Sequence, residues 1–349
     1  MLIGKNKPLV GLDIGSSSIK AMELSRSGNG YTITAFARTA LAPDLIVDGA
    51  ITDSAAVANA IKTLFSSGRF KARNVATGVS GHSVIVKRVV LPVDTPDQVA
   101  EAIQHNADQY IPFDISDVNL DYHVIGVSGD TRGGLEVLLV AVKKDQIRNT
   151  TNVITMAGRT PAIVDIDAFA LQNAFEINYS PNVRDTIALL NVGASLTNIN
   201  IVRGGMPLFI RDVSVGGNQY TDILQKELQL TFQEAEELKS GRKVGVYDPE
   251  MVAPLMDSIT DLLTMEVRKT FDFFKETYPE ANISRIYLAG GAARAAGLVE
   301  RISAAFGLET DILDPLRSVR VGSGAGFGVA EMGPALAVAM GLAVRGFDA

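Results

Sequence analysis

The sequence predicts a mixed α/β protein made of two related halves, each with helices packed on a mixed sheet. Strand and helix patterns alternate along the 349 residues, and clusters of the 32 glycines follow several of the strands. The segment Leu12–Ser17 is echoed by Leu190–Ser195, at an offset of 178 residues that is about half of the chain. An internal duplication would produce such an echo, so we expect two lobes of the same basic design.

Composition narrows the class of function. The chain is 47% hydrophobic and 20% charged, as in globular proteins, and its net charge of −7 argues against nonspecific nucleic-acid binding. With no cysteine, it has no disulfides, thiolate metal sites or cysteine nucleophiles. No uninterrupted apolar run reaches the roughly 18–20 residues that a bilayer requires. We therefore expect a cytoplasmic protein without direct membrane insertion.

The first half begins with a strand, a tight turn and a second strand. Val10–Ile14 is apolar, and residues 15–18 are the small residues Gly-Ser-Ser-Ser. A helix is predicted from about Asp53, because apolar residues recur after it at helical spacing. The chain then returns as a strand at residues 75–79.

Residues 83–161 have the pattern of a compact α/β insertion. Thr95-Pro96-Asp97-Gln98 combines an N-cap, a proline at the first helical position and a capping-box glutamine. Strands are predicted at 118–125 and 135–142, and Asp145 is predicted to cap a further helix. A strand and a short helix then complete the first half.

The second half repeats the strand, turn and strand from Ile187 and continues with helices. The predicted elements are a helix at 219–228, a capping box at Thr231 and Glu234, a long amphipathic helix from Asp248-Pro249, a strand at 285–288 before Gly290-Gly291, and an apolar helix from Pro334.

The turn after the first strand is a candidate phosphate site. Small residues leave backbone N–H groups able to face an anion, and hydroxyls add donors. A carboxylate at the strand end suits Mg²⁺ that keeps its water shell, and a lysine adds positive charge. A plain hairpin turn is the alternative. The candidate residues are Asp13, Gly15, Ser16, Ser17, Ser18 and Lys20.

Four further groups strengthen this interpretation, although each has an ordinary structural alternative. A second turn could grip a phosphate chain from the other side, and a glycine pair at a helix N-terminus could supply more amides. A glycine loop with an arginine could approach a flat base, and an i,i+3 acid–base pair could reach a ribose or be a surface ion pair. These residues are Asn191, Gly193 and Ser195; Gly216 and Gly217; Gly290, Gly291, Ala292 and Arg294; and Glu236 and Lys239.

The order of these motifs resembles the actin, sugar kinase and chaperone ATPase superfamily. The usual phosphate motifs G-x-x-x-x-G-K-[ST] and G-x-G-x-x-G do not occur. The segments that carry the resemblance are the first phosphate element at 10–23, a connecting segment at 164–175, the second phosphate element at 187–205, an adenosine element at 285–302 and a connecting helix at 334–345.

Within that superfamily the chain resembles the PilM family of type IV pilus assembly proteins, which is similar to FtsA. The most specific stretches are 105–113 and 121–125 in the insertion, with 164–170 and 334–343. The resemblance implies an actin-like, ribonuclease H-like duplicated fold, with two lobes around a nucleotide cleft and an FtsA-like inserted α/β subdomain. The implied subdomains are a first actin-like core at 1–82, 162–185 and 334–349; the inserted, partner-binding subdomain at 83–161; a second core at 186–213 and 258–333; and a small helical subdomain at 214–257.

The resemblance also implies cofactors and partners. ATP and Mg²⁺ would bind in the cleft, with Asp13 holding the metal through water. A groove beside the insertion would hold the cytoplasmic N-terminal tail of PilN, and PilN would connect the chain to PilO and PilP. The protein would then be cytoplasmic and peripheral at the inner membrane, and homo-oligomers are compatible with this arrangement.

One departure from the superfamily concerns hydrolysis. Strongly hydrolysing members have an aspartate where this chain has Asn191, and an amide neither attracts Mg²⁺ nor accepts a proton as a carboxylate does. Asp167, at the family's acidic or amide position in the connecting segment, is the candidate for positioning the attacking water. We therefore expect ATP binding with slow hydrolysis, the nucleotide acting as a conformational ligand.

Three alternatives remain open. An FtsA-like filament protein would need an amphipathic membrane helix after a linker, and the sequence as given stops directly after the last predicted helix. A sugar or acetate kinase would need a catalytic base in the insertion, where no acidic cluster stands out. A structural adaptor without nucleotide is the plainest alternative, and the intact turn at Asp13 argues against it.

Overall fold

The fold is described from a computed structural model, over residues 9–28, 30–128, 133–325 and 328–347. Asn29 of the predicted hairpin turn and part of the glycine-rich loop at 322–328 lie outside the described residues.

Strands and helices alternate along the whole described chain. The strands are β1 Val10–Ile14, β2 Ser18–Ser27, β3 Gly30–Ala40, β4 Ile46–Val47, β5 Ala50–Ile51, β6 Asn74–Val79, β7 Val84–Leu91, β8 Val118–Val127, β9 Leu135–Lys143, β10 Thr160–Ile166, β11 Thr186–Val192, β12 Thr197–Arg203, β13 Met206–Val213, β14 Ile283–Ala289, β15 Glu309–Ile312 and β16 Val319–Val321. The α-helices are α1 Ser54–Ser67, α2 Val99–Tyr110, α3 Lys144–Met156, α4 Asp167–Tyr179, α5 Gly217–Leu228, α6 Phe232–Lys239, α7 Pro249–Thr277, α8 Leu298–Phe306, α9 Val329–Met332 and α10 Ala337–Val344.

Two sheets of the same topology form the two lobes. In the first, β3, β2 and β1 form an antiparallel meander, and β6 and β10 continue the sheet parallel to β1. In the second, β13, β12 and β11 form the meander, and β14 and β15 continue it in the same way. The first sheet has a sixth strand, β16, beside β3. This match confirms the predicted duplicated α/β fold.

Helices α4 and α10 lie between the two sheets and join the lobes in one apolar core. The core combines residues of both sheets with residues of the two helices, and all eight residues of α10 are buried. The helices approach backbone to backbone, because a β-carbon at Gly341 would collide with the carbonyl of Ala170. A β-carbon at Gly11 on β1 would likewise collide with the carbonyl of Ala339. Glycine at these two positions is therefore required by close packing.

One described segment, Val329–Phe347, has the length and apolar composition of a membrane-spanning helix, although the sequence predicted none. Glu331 and Arg345 interrupt its apolar run, and 67% of its most apolar window is buried inside the protein. The core helix of a folded lobe meets the same criteria of length and composition. Its burial between the sheets explains its apolar character.

The insertion forms a three-stranded antiparallel sheet, in the order β7-β9-β8, with α2 packed on it. Its two ends are adjacent, since the amide of Lys143 donates to the carbonyl of Ser83 at 3.0 Å. Helix α3 packs against α1 of the first lobe, with Val153 and Ile154 in that lobe's core. The insertion's own core therefore ends before α3.

The local prediction at Asp145 was wrong. The helix α3 is capped at Lys143 and begins at Lys144, so Asp145 lies inside its first turn. There it pairs with Arg148 at 3.2 Å, an i,i+3 ion pair on an exposed surface. An acidic residue in the first turn still favours the helix, because it interacts with the positive end of the helix dipole.

Candidate functional site

The two predicted turns have the same geometry. Gly15 N–H donates to the carbonyl of Ser18 at 3.2 Å, and Gly193 N–H donates to the carbonyl of Leu196 at 2.9 Å. Each bond closes a two-residue loop, and the four residues are related by the offset of 178. Glycine is required at position 193, since a β-carbon there would lie 2.8 Å from the carbonyl oxygen of Leu196, and the corresponding distance at Gly15 is 3.2 Å.

The two turns meet across the space between the lobes. Ser16 Oγ lies 2.5 Å from Ser195 Oγ, within hydrogen-bond distance. The side chain of Leu196 packs towards Gly49 and Gly81 of the first lobe, and it is buried. The structure therefore brings the two predicted phosphate turns into contact.

Each turn is flanked by a pair of polar side chains on neighbouring strands. In the first lobe, Lys20 Nζ donates to Asp13 Oδ2 at 2.9 Å, and both side chains are largely buried. At the equivalent positions of the second lobe, Asn191 Nδ2 donates to Asn198 Oδ1 at 2.8 Å. The first turn thus has an ion pair beside it where the second has a neutral amide pair.

The predicted nest of free amides at 216–218 is not present, because the protein's own oxygens accept from these groups. Gly217 N–H donates to the carbonyl of Gly193 at 2.9 Å, and Asn218 N–H donates to that of Ala194 at 2.8 Å. Gly216 N–H donates to Gln219 Oε1 at 2.9 Å. The N-terminus of α5 therefore holds the second turn in place. A β-carbon at Gly217 would lie 2.9 Å from Cβ of Ala292 and 3.4 Å from Nζ of Lys239.

Glu236 and Lys239 form an ion pair, as their spacing on α6 predicted, but the pair is not a surface feature. Lys239 is 9% exposed, and its ammonium donates to Glu236, to Thr221 Oγ1 at 3.0 Å and to the carbonyl of Gly217 at 3.3 Å. Thr221 also donates to Glu236. The pair therefore joins α6 to the first turn of α5, beside the second phosphate turn, and leaves part of Glu236 exposed.

The glycine loop after β14 lies against the second turn's strand. Gly290 has φ +88, and a β-carbon there would lie 2.8 Å from Asn191 Oδ1. Gly291 is exposed, with no other atom within 4 Å of a β-carbon built on it. Arg294 is exposed and donates to the carbonyl of Glu331 at 2.7 Å, while its guanidinium packs on Gly333. This arginine is therefore held near the start of the last helical segment.

Asp167 begins α4 at the edge of a small cavity. The cavity has a volume of about 30 Å³, enough to admit a water molecule, and Gly78, Ser80 and Gln146 also line it. Burial and the nearby carboxylate of Asp13 together raise the pKa of Asp167 to about 7, although a hydrogen bond with Ser80 opposes the rise. A carboxyl group with a pKa near neutrality can accept or donate a proton at physiological pH.

Several site residues were missed by the sequence prediction. Asp212 on β13 accepts from Asn198 Nδ2 at 2.8 Å and from the amide of Gly81 at 2.5 Å, and thereby links the two lobes. Thr221 bonds the Glu236–Lys239 pair. The available signal for Thr221 was a threonine four residues after Gly217, whereas Asp212 follows Arg211 near the end of β13 and had no distinguishing signal.

The described residues offer few side chains that could bind a metal ion. Among the described residues, no group of three or more His, Asp or Glu side chains comes together as a set that could hold a metal ion. A single carboxylate beside a turn with hydroxyls suits Mg²⁺, which keeps several waters and binds through one or two carboxylates plus phosphate oxygens. The arrangement of Asp13 and the first turn fits a magnesium–nucleotide complex in this respect.

Comparisons with known proteins agree with this geometry. The sequence model of the family described as "Type IV pilus assembly protein PilM" matches residues 11–347. A solved PilM-PilN type IV pilus biogenesis complex is 26% identical, with a TM-score of 0.85, and the match covers 98% of this chain and 99% of that chain.

More distant structures share the fold alone. The ethanolamine utilization protein EutJ from Carboxydothermus hydrogenoformans is 16% identical, with a TM-score of 0.54, over 97% of this chain and 89% of its own. MreB 5 of Spiroplasma citri bound to AMPPNP is 15% identical, with a TM-score of 0.55, over 97% and 95%. The predicted actin-like fold class is therefore confirmed.

Proposed function

This chain belongs to the PilM family of type IV pilus assembly proteins and has an actin-like fold, and we propose that it binds ATP in the cleft between its lobes. The observation that carries the proposal is the contact between the two equivalent turns, where Ser16 Oγ and Ser195 Oγ lie 2.5 Å apart. Residues from both lobes can then contact one phosphate chain. Mg²⁺ would add charge neutralisation between Asp13 and the phosphates.

The roles that we propose for individual residues follow from their positions. The turn residues of both lobes bind phosphates, and Asp13 orients the metal's water shell while Lys20 fixes the carboxylate. Glu236, with Lys239 behind it, faces the ribose, and the loop of Gly291 and Arg294 lies beside the base. The residues proposed to form the nucleotide and metal site, by contact or by holding a contacting residue in place, are Asp13, Gly15, Ser16, Ser17, Ser18, Lys20, Asn191, Gly193, Ser195, Gly216, Gly217, Glu236, Lys239, Gly290, Gly291, Ala292 and Arg294.

We expect hydrolysis to be slow. Asn191 stands at the position of the aspartate found in strongly hydrolysing members, and a neutral amide cannot accept a proton from water. Asp167, with its pKa near 7 and a water-sized cavity beside it, is the proposed water-positioning residue. Nucleotide then acts mainly as a conformational ligand. A turnover above about 1 s⁻¹ for the purified protein, within the range of ordinary enzymes, would contradict this.

The proposed partner is the cytoplasmic N-terminal tail of PilN, since the solved relative with the TM-score of 0.85 is a PilM-PilN complex. The tail would dock in a groove beside the inserted subdomain, as an extended strand or through an apolar anchor. Through PilN, the chain would be connected to PilO and PilP and held at the inner membrane from the cytoplasmic side. An FtsA-like filament protein is the alternative.

Binding of a synthetic PilN tail peptide tests the proposal. We expect the labelled peptide to bind the purified protein in fluorescence anisotropy, with an affinity that changes when ATP and Mg²⁺ are added. A scrambled peptide is the control. Binding of neither the peptide nor ATP would reject the proposed function, and filament formation with ATP alone would favour the alternative.

Removal of the inserted subdomain locates the peptide site. Because Ser83 and Lys143 are hydrogen-bonded neighbours, a short glycine linker can replace residues 84–142 and leave α3 in the first lobe. We expect this variant to lose the peptide and to keep ATP. Loss of both would mean that the insertion and the cleft are not separable.

A further inference from the structure

Asp212 stands at the end of a chain of hydrogen bonds that leads to Asn191. Asn191 Nδ2 donates to Asn198 Oδ1 at 2.8 Å, and Asn198 Nδ2 donates to Asp212 Oδ1 at 2.8 Å. The second oxygen of Asp212 accepts from the amide of Gly81 at 2.5 Å. All three side chains lie on adjacent strands of the second lobe, in register.

The direction of these hydrogen bonds is set by the bond between the Gly81 amide and Asp212. A backbone amide can only donate, and an ionised carboxylate can only accept. Gly81 therefore fixes Asp212 as the acceptor, and Asn198 must turn its NH₂ group towards it. The oxygen of Asn198 then faces Asn191, which must donate in turn.

As a result, Asn191 keeps its own oxygen free of the chain. That oxygen lies beside Gly290 of the glycine loop, since a β-carbon built on this glycine would be only 2.8 Å from it. An oxygen can accept a hydrogen bond from a metal-bound water, whereas an NH₂ group cannot. The direction of the hydrogen bonds thus decides whether Asn191 presents its oxygen or its NH₂ group beside the second turn.

We propose that Asp212 is a positioning residue that holds the Asn191 amide with its oxygen towards the nucleotide. The proposal rests on the proposed function, because the oxygen matters only if magnesium–nucleotide binds beside the second turn. It explains how a chain with asparagine at this position retains an acceptor there. Desolvation leaves the pKa of Asp212 above its ordinary value, although the hydrogen bonds from Asn198 and Gly81 and the nearby His82 oppose the rise, and the test is therefore made at pH 8.

The substitution Asp212→Asn should reverse the direction of these hydrogen bonds without removing any of them. The new amide at position 212 would accept from Gly81 with its oxygen and offer its NH₂ group to Asn198. Both native asparagines would then rotate, and Asn191 would present its NH₂ group. The double variant Asp212→Asn with Asn198→Asp restores the original direction. In it, the new carboxylate at position 198 accepts from Asn191 and from the NH₂ group at position 212, while the amide oxygen at position 212 accepts from Gly81.

The test compares ATP affinity at pH 8 with Mg²⁺ and with EDTA, for the full chain and its variants. We expect Mg²⁺ to increase the ATP affinity of the wild type. In D212N this increase should be about fivefold smaller, and in D212N/N198D it should return to the wild-type value. Arg211→Ala is the matched control, since Arg211 is the neighbour of Asp212 on the same strand and pairs with Glu266 instead. The inference is overturned if D212N keeps the wild-type response to Mg²⁺, or if the double variant does not recover it.

Stability without nucleotide gives a second measurement. N198D alone places two carboxylates face to face and should lower the urea midpoint, and adding D212N should restore it. An unchanged midpoint in N198D, or no rescue by D212N, also overturns the inference. If the wild type binds no ATP but the rescue occurs, the proposed function fails while the hydrogen-bond direction is upheld.

Discussion

Lys20 and Asn198 occupy equivalent positions in the two halves of the chain, and each bonds the side chain at the end of the preceding strand. Lys20 holds Asp13 by an ion pair of 2.9 Å, and Asn198 holds Asn191 by an amide hydrogen bond of 2.8 Å. Both halves of the chain therefore have a bonded side-chain pair at these positions, but the two pairs differ in charge. The first lobe has the charged pair and the second lobe the neutral one.

This relationship predicts the effect of Asn191→Asp on stability. The new carboxylate would face the oxygen of Asn198, whose NH₂ group is already bonded to Asp212, so one acceptor would lose its donor. We expect a loss of about 1–3 kcal/mol in the free energy of unfolding, measured in urea at pH 8. Adding Asn198→Lys should recover at least half of it, because an ammonium can donate to both carboxylates. Equal stability of N191D and the wild type would contradict the assigned hydrogen bonds.

Asp13→Ala should weaken the binding of magnesium–ATP at least tenfold. The substitution removes the carboxylate proposed to orient the metal's water shell and leaves Lys20 without its partner. Isothermal titration with and without Mg²⁺ measures the effect, and Asp272→Ala on the exposed face of α7 is the control. Unchanged affinity in D13A would mean that magnesium–ATP does not bind at the turn beside Asp13.

Asp167→Asn should change how stability depends on pH. The raised pKa means that the folded protein holds this proton from about pH 4 to about pH 7, while the unfolded chain has released it. Wild-type stability therefore falls over this range, and D167N gains relative to it. The gain is at most about 4 kcal/mol, from three pKa units at about 1.4 kcal/mol each.

Urea unfolding at pH 5 and pH 8 measures the part of this gain that falls between pH 5 and pH 7, about two pKa units or about 3 kcal/mol. Asp145→Asn is the control, because its side chain is exposed, and its difference from the wild type should stay within about 0.5 kcal/mol at both pH values. A difference between D167N and the wild type that is the same at pH 5 and pH 8 would mean that the pKa of Asp167 is not raised.

Two lysines near the end of α6 should differ in their contribution to stability. Lys239→Met removes a charge that bonds Glu236, Thr221 and the carbonyl of Gly217, and we expect a cost of about 2 kcal/mol in unfolding free energy. Lys243→Met breaks an exposed pair with Asp248 and should cost less than about 1 kcal/mol. Chemical unfolding of both variants makes the comparison, and equal costs would show that the Lys239 network is not structurally coupled.

Local sequence patterns were enough to predict the duplicated frame. Glycine and serine after an apolar strand define the turn at 15–18, and the same spacing in the second half identified its counterpart. The long helix from Pro249 and the capping box at Thr231 also have local signals, and both are present.

Contacts between distant segments could not be predicted in this way. The contact of Ser16 with Ser195 depends on the packing of two lobes, and nothing in either turn encodes it. The amides at 216–218 looked free because the carbonyls of 193 and 194, which accept from two of them, lie far back in the chain. Asp212 lies in a strand, where the alternation of polar and apolar residues predicts a polar side chain on the outer face. Its role in linking the lobes could therefore not be predicted from the local sequence.

The backbone contact between α4 and α10 has a consequence for motion. With no side chain between Gly341 and Ala170, the two helices cannot slide past each other without separating the main chains. We therefore expect the two helices to keep this backbone contact when the lobes move, because sliding at Gly341 would separate the main chains.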